Sequence, residues 1–378
     1  MTDACLRFDA IDEDLPGPKW KARWDRSWPA YEGWFITGGG DLGPSRADCE
    51  AALSQHMPEL VPVYRRLLDL AGGSDRAARF LSTWCPPNYL GGCSLVAMAN
   101  HDTVRLVRNY DLSPNLNEGL LLKSAWTGRG VMGMVEFLWG LSDGINDAGL
   151  SIALAYGGRQ ITGTGFGITT ILRYVLETCR TVEDALAVLQ RVPSHMPYNV
   201  VLADASGTTA SVEMQAGGGI RIVADALATN HQHDGSQPDR GAFTLTYERA
   251  AQLKTAVDSG MDPKQLAAEF LKEPLRQVRY GEGFGTLFTA EYDPLTRSLT
   301  LHWPDTVWQQ SLDDFTERQT VITYGANERP IQLDQGLERE IDWVAIGMRY
   351  ASANPPDWRE FATPGYGSEP QQVCSGCH

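Results

Sequence analysis

The sequence predicts an α+β protein, and three observations predict it. Apolar residues recur at helical spacing between residues 46 and 83, and turn-linked strands dominate from Asn199 onward. Helices and strands also come in blocks, without the strand–helix alternation of a parallel sheet. The 378 residues suffice for one large domain or two ordinary ones. A composition of 43% hydrophobic and 21% charged residues is that of a globular chain with a sizeable core.

Residues 1–45 are rich in Trp, Gly, Pro and Asp. Pro16, Pro18 and Pro29 argue against one continuous helix there. Trp20, Trp24, Trp28 and Trp34 are therefore read as an irregular arm packed on the body, with a ligand-facing aromatic cage as the alternative. Ala51, Leu53, Met57, Leu60, Val63, Leu67 and Leu70 predict a first helix stopped by Gly72-Gly73. A second spans about 75–84, and Pro86-Pro87 then break the chain. Next come Gly91-Gly92-Cys93-Ser94, a strand over 95–99, the turn Asn100-His101-Asp102 and a strand over 104–107. That strand runs into Arg108-Asn109-Tyr110-Asp111, so the hairpin carries Asp111 back alongside Cys93.

Beyond the hairpin, an apolar stretch at 135–141 and a turn-rich stretch at 143–150 lead into a strand at 151–156. Gly163-Thr164-Gly165-Phe166-Gly167 fits neither a dinucleotide fingerprint nor a phosphate loop, and is read as a lead-in to a helix at 168–179. Thr181 with Asp184 gives a capping-box start for a helix at 182–191. Strands follow at 199–203, 208–214, 220–224 and 226–231, then helices at 245–257 and 263–271. A hairpin of 286–292 with 298–302, a strand at 318–323 and a polar tail after Pro355 complete the chain.

The net charge of −15 disfavours nucleic acid and anionic membranes as partners. No stretch reaches the roughly 18–20 apolar residues of a membrane span, and the first residues lack the pattern of a secretory signal. Seven irregularly spaced cysteines point to free thiols in a reducing cytoplasm.

Cys93 is the candidate nucleophile. An arginine beside it, Arg108, would favour the thiolate that attacks carbonyl carbon. On these residues alone the bland reading, a buried core cysteine, is the better one.

Several motifs in order change that balance: Gly92-Cys93-Ser94, Arg108-Asn109-Tyr110-Asp111, Asn146-Asp147-Ala148-Gly149-Leu150, Arg173 to Glu177 with Thr181 to Ala185, Asn199 with Asp204, Gly207 and Glu213, and Thr229-Asn230-His231. Together, over about residues 50–305, they resemble the penicillin acyltransferase-type cysteine peptidases, typified by isopenicillin N acyltransferase. More distantly they resemble choloylglycine hydrolases and penicillin V acylases.

The resemblance implies a four-layer αββα sandwich of the N-terminal nucleophile hydrolases and self-cleavage between Gly92 and Cys93. It thus divides the chain into a leader (1–92), a hydrolase domain (93–355) and a tail (356–378), with leader and body staying associated. It implies Cys93 as nucleophile, Asp111 orienting the new amine and the thiol, Arg108 beside them and Asn230 at the oxyanion. Tyr156 falls where a second oxyanion or substrate-contact residue belongs. The implied reaction needs no cofactor: an amide or acyl donor forms a thioester on Cys93, which passes to water or an amine. The alternative is an uncleaved pseudoenzyme or binding protein on the same scaffold. Homo-oligomerisation is left open. Arg249 is left out of the site because its helix register does not match the resemblance.

Other features compete. His231, His233 and Asp234 offer too few ligands for a metal, and Cys374, Cys377 and His378 match a haem-attachment pattern without the export signal it needs. Trp126, Phe137 and Trp139 are read as core packing rather than a pocket lining.

Overall fold

The computed structural model describes residues 4–89, 91–325 and the backbone of Pro330–Ile331. In chain order the strands are β1 (Ala4–Asp12), β2 (Gly92–Ala99), β3 (Val104–Leu112), β4 (Leu120–Ser124), β5 (Val131–Glu136), β6 (Gly140–Asn146), β7 (Ser151–Tyr156), β8 (Tyr198–Ala203), β9 (Thr209–Met214), β10 (Ile220–Val223), β11 (Leu227–Ala228), β12 (Val278–Arg279), β13 (Phe284–Asp293), β14 (Ser298–Trp303), β15 (Thr306–Ser311), β16 (Arg318–Tyr324) and β17 (Pro330–Ile331). The helices are α1 (Pro18–Thr37), α2 (Arg46–His56), α3 (Val61–Leu70), α4 (Asp75–Ser82), α5 (Ile168–Thr178), α6 (Val182–Arg191), α7 (Gly241–Thr244), α8 (Thr246–Asp258) and α9 (Leu266–Phe270).

Two sheets result, and the class is α+β. One runs β10-β9-β8-β7-β6-β5-β4-β1-β16-β17; the other runs β11-β2-β3-β13-β14-β15, with β12 on β13. Three apolar clusters fill the spaces between layers. The first joins α1–α6 to one face of the ten-stranded sheet, with Trp24, Leu67, Leu172 and Val200 among its members. The second lies between the sheets and includes Phe8, Cys93, Leu95, Tyr110 and Leu301. The third sets Val96 and Val107 against Leu253 and Phe270 of α8 and α9.

Alternation along β2 and β3 therefore decides which side chains reach the interior. Cys93, Leu95 and Ala97 face the other sheet, whereas Val96 faces α8 and α9.

Residues 18–37 form one helix, contrary to the expected irregular arm. Pro18 sits in its first turn, where no N–H is missed, and Pro29 is on the exposed face, so the carbonyl it leaves unpaired can meet water. Its tryptophans do pack on the body: Trp20, Trp24 and Trp34 are buried, and Trp24 stacks between Trp20 and Trp28 at 5.4 and 4.4 Å. The single helix expected to end at Gly72-Gly73 is two, α2 and α3, because Pro58 and Pro62 interrupt it. The stretch from Asp143 to Asn146 is strand rather than turn.

Helices α5 and α6 lie where expected, the latter started by the Thr181–Asp184 capping box. The long strand expected over 226–231 shortens to β11, since Thr229 to His231 turn away to reach α8. Cys49, Cys85, Cys93 and Cys179 are free thiols, whereas Cys5 is disulfide-bonded, against the expectation for it. The calls on residues 356–378, including Cys374, Cys377 and His378, lie outside the described residues. No helix among the described residues is long and apolar enough to cross a membrane.

Candidate active site

Pairing of β2 with β3 sets Gly92 opposite Asp111 and Cys93 opposite Tyr110. Arg108 lies two residues back on the inward face, and its Nη2 donates to Cys93 Sγ at 2.9 Å. Its other side is held by Asp143 of β6, whose Oδ1 accepts from Nη1 at 2.6 Å and whose Oδ2 accepts from the Tyr292 hydroxyl at 2.6 Å. The Tyr110 ring lies 4.4 Å beneath the guanidinium. Cys93, Arg108 and Asp143 are all buried. A buried arginine is tolerable here because a carboxylate and an aromatic face replace its water.

The expected thiolate does not follow. Burial is the largest influence on Cys93 and pushes its thiol up to about 12, outweighing the opposing pull of Arg108. In the intact chain the sulfur holds its proton.

On the outward face a second network surrounds the Cys93 backbone. Asn230 Oδ1 accepts from Cys93 N–H at 3.1 Å, and Asn230 Nδ2 donates to the Tyr156 carbonyl at 3.1 Å. Arg249 donates to the Cys93 carbonyl at 2.5 Å, to Ser94 Oγ at 2.9 Å, to Asn230 Oδ1 at 2.7 Å and to Asp111 Oδ2 at 3.4 Å. Thr286 donates to Asp111 Oδ1 at 2.7 Å. Burial raises the Asp111 carboxyl, with Arg249 and Thr286 opposing.

So Asp111 stands beside Gly92, across the sheet from the thiol, rather than alongside Cys93 itself. Tyr156 meets Asn230 through its main chain, while its buried hydroxyl has no hydrogen-bond partner among the described residues.

Gly92 is fixed sterically. A Cβ there would lie 2.3 Å from the Phe284 ring and 3.1 Å from Asp111 Cβ, so no other residue fits.

The model of the acyl-coenzyme A:6-aminopenicillanic acid acyl-transferase family matches residues 98–308, more than half of the chain. The chain belongs to this family. No curated protein matches it in sequence. Among solved structures it is similar to penicillin V acylase from Agrobacterium tumefaciens (16% identity, TM-score 0.41, covering 61% of this chain and 90% of the other). A mutant conjugated bile acid hydrolase from Clostridium perfringens matches at 16% identity and TM-score 0.38, over 65% of this chain and 99% of the other. The Caenorhabditis elegans ortholog of N-acylethanolamine-hydrolyzing acid amidase matches at 16% and 0.41, over 60% and 98%.

Two residues of the site, Arg249 and Asp143, lie outside the set expected from the sequence. Arg249 is one turn inside α8 from Thr246, which accepts from Asn230 N–H at 2.8 Å, and residues three apart share a helix face. Once Thr246 starts the helix, Arg249 must point at Asn230. Asp143 lies in a stretch whose Gly, Asn and Asp content resembles a turn, and nothing local marks it as the partner of Arg108.

Trp126 and Trp139 are core residues, as expected, while Phe137 lines a small cavity with Trp34, Phe80 and Tyr89. His233 Nδ1 lies 2.7 Å from Glu213, and His231 Nδ1 lies 3.0 Å from Thr246 Oγ1. Among the described residues no three metal-ligating side chains gather to hold an ion.

Proposed function

We propose that the chain is a self-processing cysteine amidohydrolase or acyltransferase. Its family membership supports acyl transfer or amide hydrolysis, and one observation supports Cys93 as the nucleophile: it alone of the free cysteines among the described residues receives a guanidinium hydrogen bond at sulfur.

In processing, the Cys93 sulfur attacks the Gly92 carbonyl carbon, passes its proton toward the departing Cys93 nitrogen, and forms a thioester. Water then cleaves the thioester, leaving Gly92 as a carboxylate and Cys93 with a free α-amine. That amine, with an ordinary pKa near 7.7–8.0, serves as base for its own thiol in each later cycle. The substrate is a small amide or acyl donor, and its acyl group passes through the same thioester to water or an amine.

Asn230 and Arg249 steady the Cys93 backbone, and a donor kept in place before reaction is what an oxyanion needs. Asp111, the register partner of Gly92, holds the new ammonium in this reading. Leader and body stay associated because β1 pairs with β4 on one side and β16 on the other, inside the ten-stranded sheet.

A second reading, an uncleaved binding protein on this scaffold, draws support from the buried, protonated thiol. Denaturing intact mass of the purified protein, beside Cys93→Ala, separates the two. Fragments 1–92 and 93–378 that vanish in Cys93→Ala are expected; a single intact species in both would favour the binding protein.

A further inference from the structure

Phe137 and Leu138 are adjacent non-glycine residues at φ 55° and 68°. Side chains disfavour this left-handed backbone, which persists only where the surroundings impose it. The imposing groups come largely from the N-terminal segment. Trp20 of α1 donates its indole N–H to the Leu138 carbonyl at 3.0 Å. Glu118, itself held by Tyr31 at 2.5 Å and Arg23 at 3.4 Å, accepts from Leu138 N–H at 2.9 Å. The Phe137 ring lies 4.5 Å from Tyr89, 5.3 Å from Trp34 and 5.8 Å from Tyr31.

This turn follows Glu136, the last residue of β5, whose carboxylate oxygen accepts from the Tyr110 hydroxyl. Glu136 makes no ion pair among the described residues. Tyr110 is the register partner of Cys93, and its ring supports the Arg108 guanidinium that donates to Cys93 Sγ. Contacts thus run unbroken from α1 through the strained turn, Glu136, Tyr110 and Arg108 to the sulfur.

We propose that Glu136 is a positioning residue for Cys93 and that the leader presents it: α1 sets the turn, the turn sets Glu136, and Glu136 acts through Tyr110 and Arg108. The proposal rests on reading Cys93 as the nucleophile. It makes the leader a working part of the site, before any cut and after it.

The groups facing Glu136 are Arg108 and Tyr110 of β3, Cys93 of β2, Asp143 of β6, Tyr198 of β8, Tyr31 of α1, and Tyr89. Burial pushes its carboxyl up to about 8. When it loses its proton to solvent, the charge formed opposes the Cys93 thiolate.

Two measurements on the full chain test this. The first is carbon-13 NMR of the carboxyl groups, with the Glu136 signal assigned by its loss in Glu136→Gln. The second is the pH dependence of Cys93 alkylation by iodoacetamide. Glu136 should titrate near 8. Above that pH, Glu136→Gln should alkylate on the order of tenfold faster than wild type, with no difference below it. Trp20→Phe, which keeps a ring but loses the N–H, should move the Glu136 titration toward the ordinary carboxylate range.

Tyr110→Phe breaks the same link and serves if Glu136→Gln does not fold; the step that wild type shows near 8 should move in its alkylation profile. A Glu136 titration in the ordinary range, or superimposable alkylation profiles, would overturn the proposal. An unchanged titration in Trp20→Phe would overturn the leader's part in it. A wild-type chain that never cuts itself would count against the proposed function while leaving both titrations readable.

Discussion

Arg249 Nη2 donates to Asn230 Oδ1 at 2.7 Å, while its Nη1 reaches Asp111 Oδ2 at 3.4 Å. One buried guanidinium therefore ties the amide, the carboxylate beside Gly92 and the Cys93 carbonyl into a single unit. Arg249→Met would leave Asp111 buried without its counter-charge, a loss of roughly 3–5 kcal/mol. Urea unfolding should show that loss. Asp111→Asn in the Arg249→Met background should recover part of it, since the stranded charge is then gone. Self-cleavage should stay defective in both, because Asn230 Oδ1 and the Cys93 carbonyl have lost the Arg249 guanidinium.

Gly92→Ala should block processing through a clash with Phe284, whose ring would stand 2.3 Å from the new Cβ. Gly92→Ala with Phe284→Leu removes part of that ring and should restore cutting, read as fragment yield by intact mass. Failure of the double variant to cut would show that Gly92 is required for chemistry beyond space.

pH should weaken the fold from both sides. Burial pushes the Glu136 carboxyl up to about 8 from an ordinary 4.5, and the Cys93 thiol up to about 12 from 9. Each folded form thus binds the proton more tightly than the unfolded chain. The stability so gained is complete below the unfolded values and fades as pH rises, between 4.5 and 8 for Glu136 and between 9 and 12 for Cys93. His231 runs the other way: burial lowers it to about 4 from 6.5, so its contribution is complete above 6.5 and fades as pH falls toward 4. Melting temperature against pH should fall on both flanks. Glu136→Gln should flatten the alkaline side through pH 8, and His231→Asn the acid side.

Phe8 is fully buried in β1, with its ring 5.1 Å from Trp303 and 6.0 Å from Phe288. Phe8→Ala should cost about 3–5 kcal/mol, as much as a central core position, despite lying in the N-terminal segment. Deleting residues 1–17 removes β1 and leaves β4 and β16 with unpaired edges, so that chain should fail to accumulate in folded form. Recovery of a folded, truncated protein would show that β1 is dispensable.

Local chemistry carried much of this protein. Apolar periodicity and capping fixed α5 and α6, alternation and turn residues marked the β2–β3 hairpin that holds Cys93 and Arg108, and the family resemblance added Asp111, Asn230 and Tyr156. Local rules misled where neighbours intervened. Prolines at the start and on the outer face of α1 leave its hydrogen bonds nearly intact, so the helix survives them. Strand β1 was invisible because its partners, β4 and β16, are distant in sequence, and pairing across such distances leaves no local periodic signal.

Within the site, the sequence by itself determined which residue types are present and that a hairpin brings Arg108 near Cys93. Tertiary structure decided the rest. The pleat sends the thiol inward and Asp111 outward; burial overrides Arg108 and keeps the sulfur protonated; Asp143 and Arg249 arrive from other elements to balance Arg108 and Asp111. Charge and solvation in a closed interior depend on every group that surrounds an atom, and only the packed chain assembles those groups.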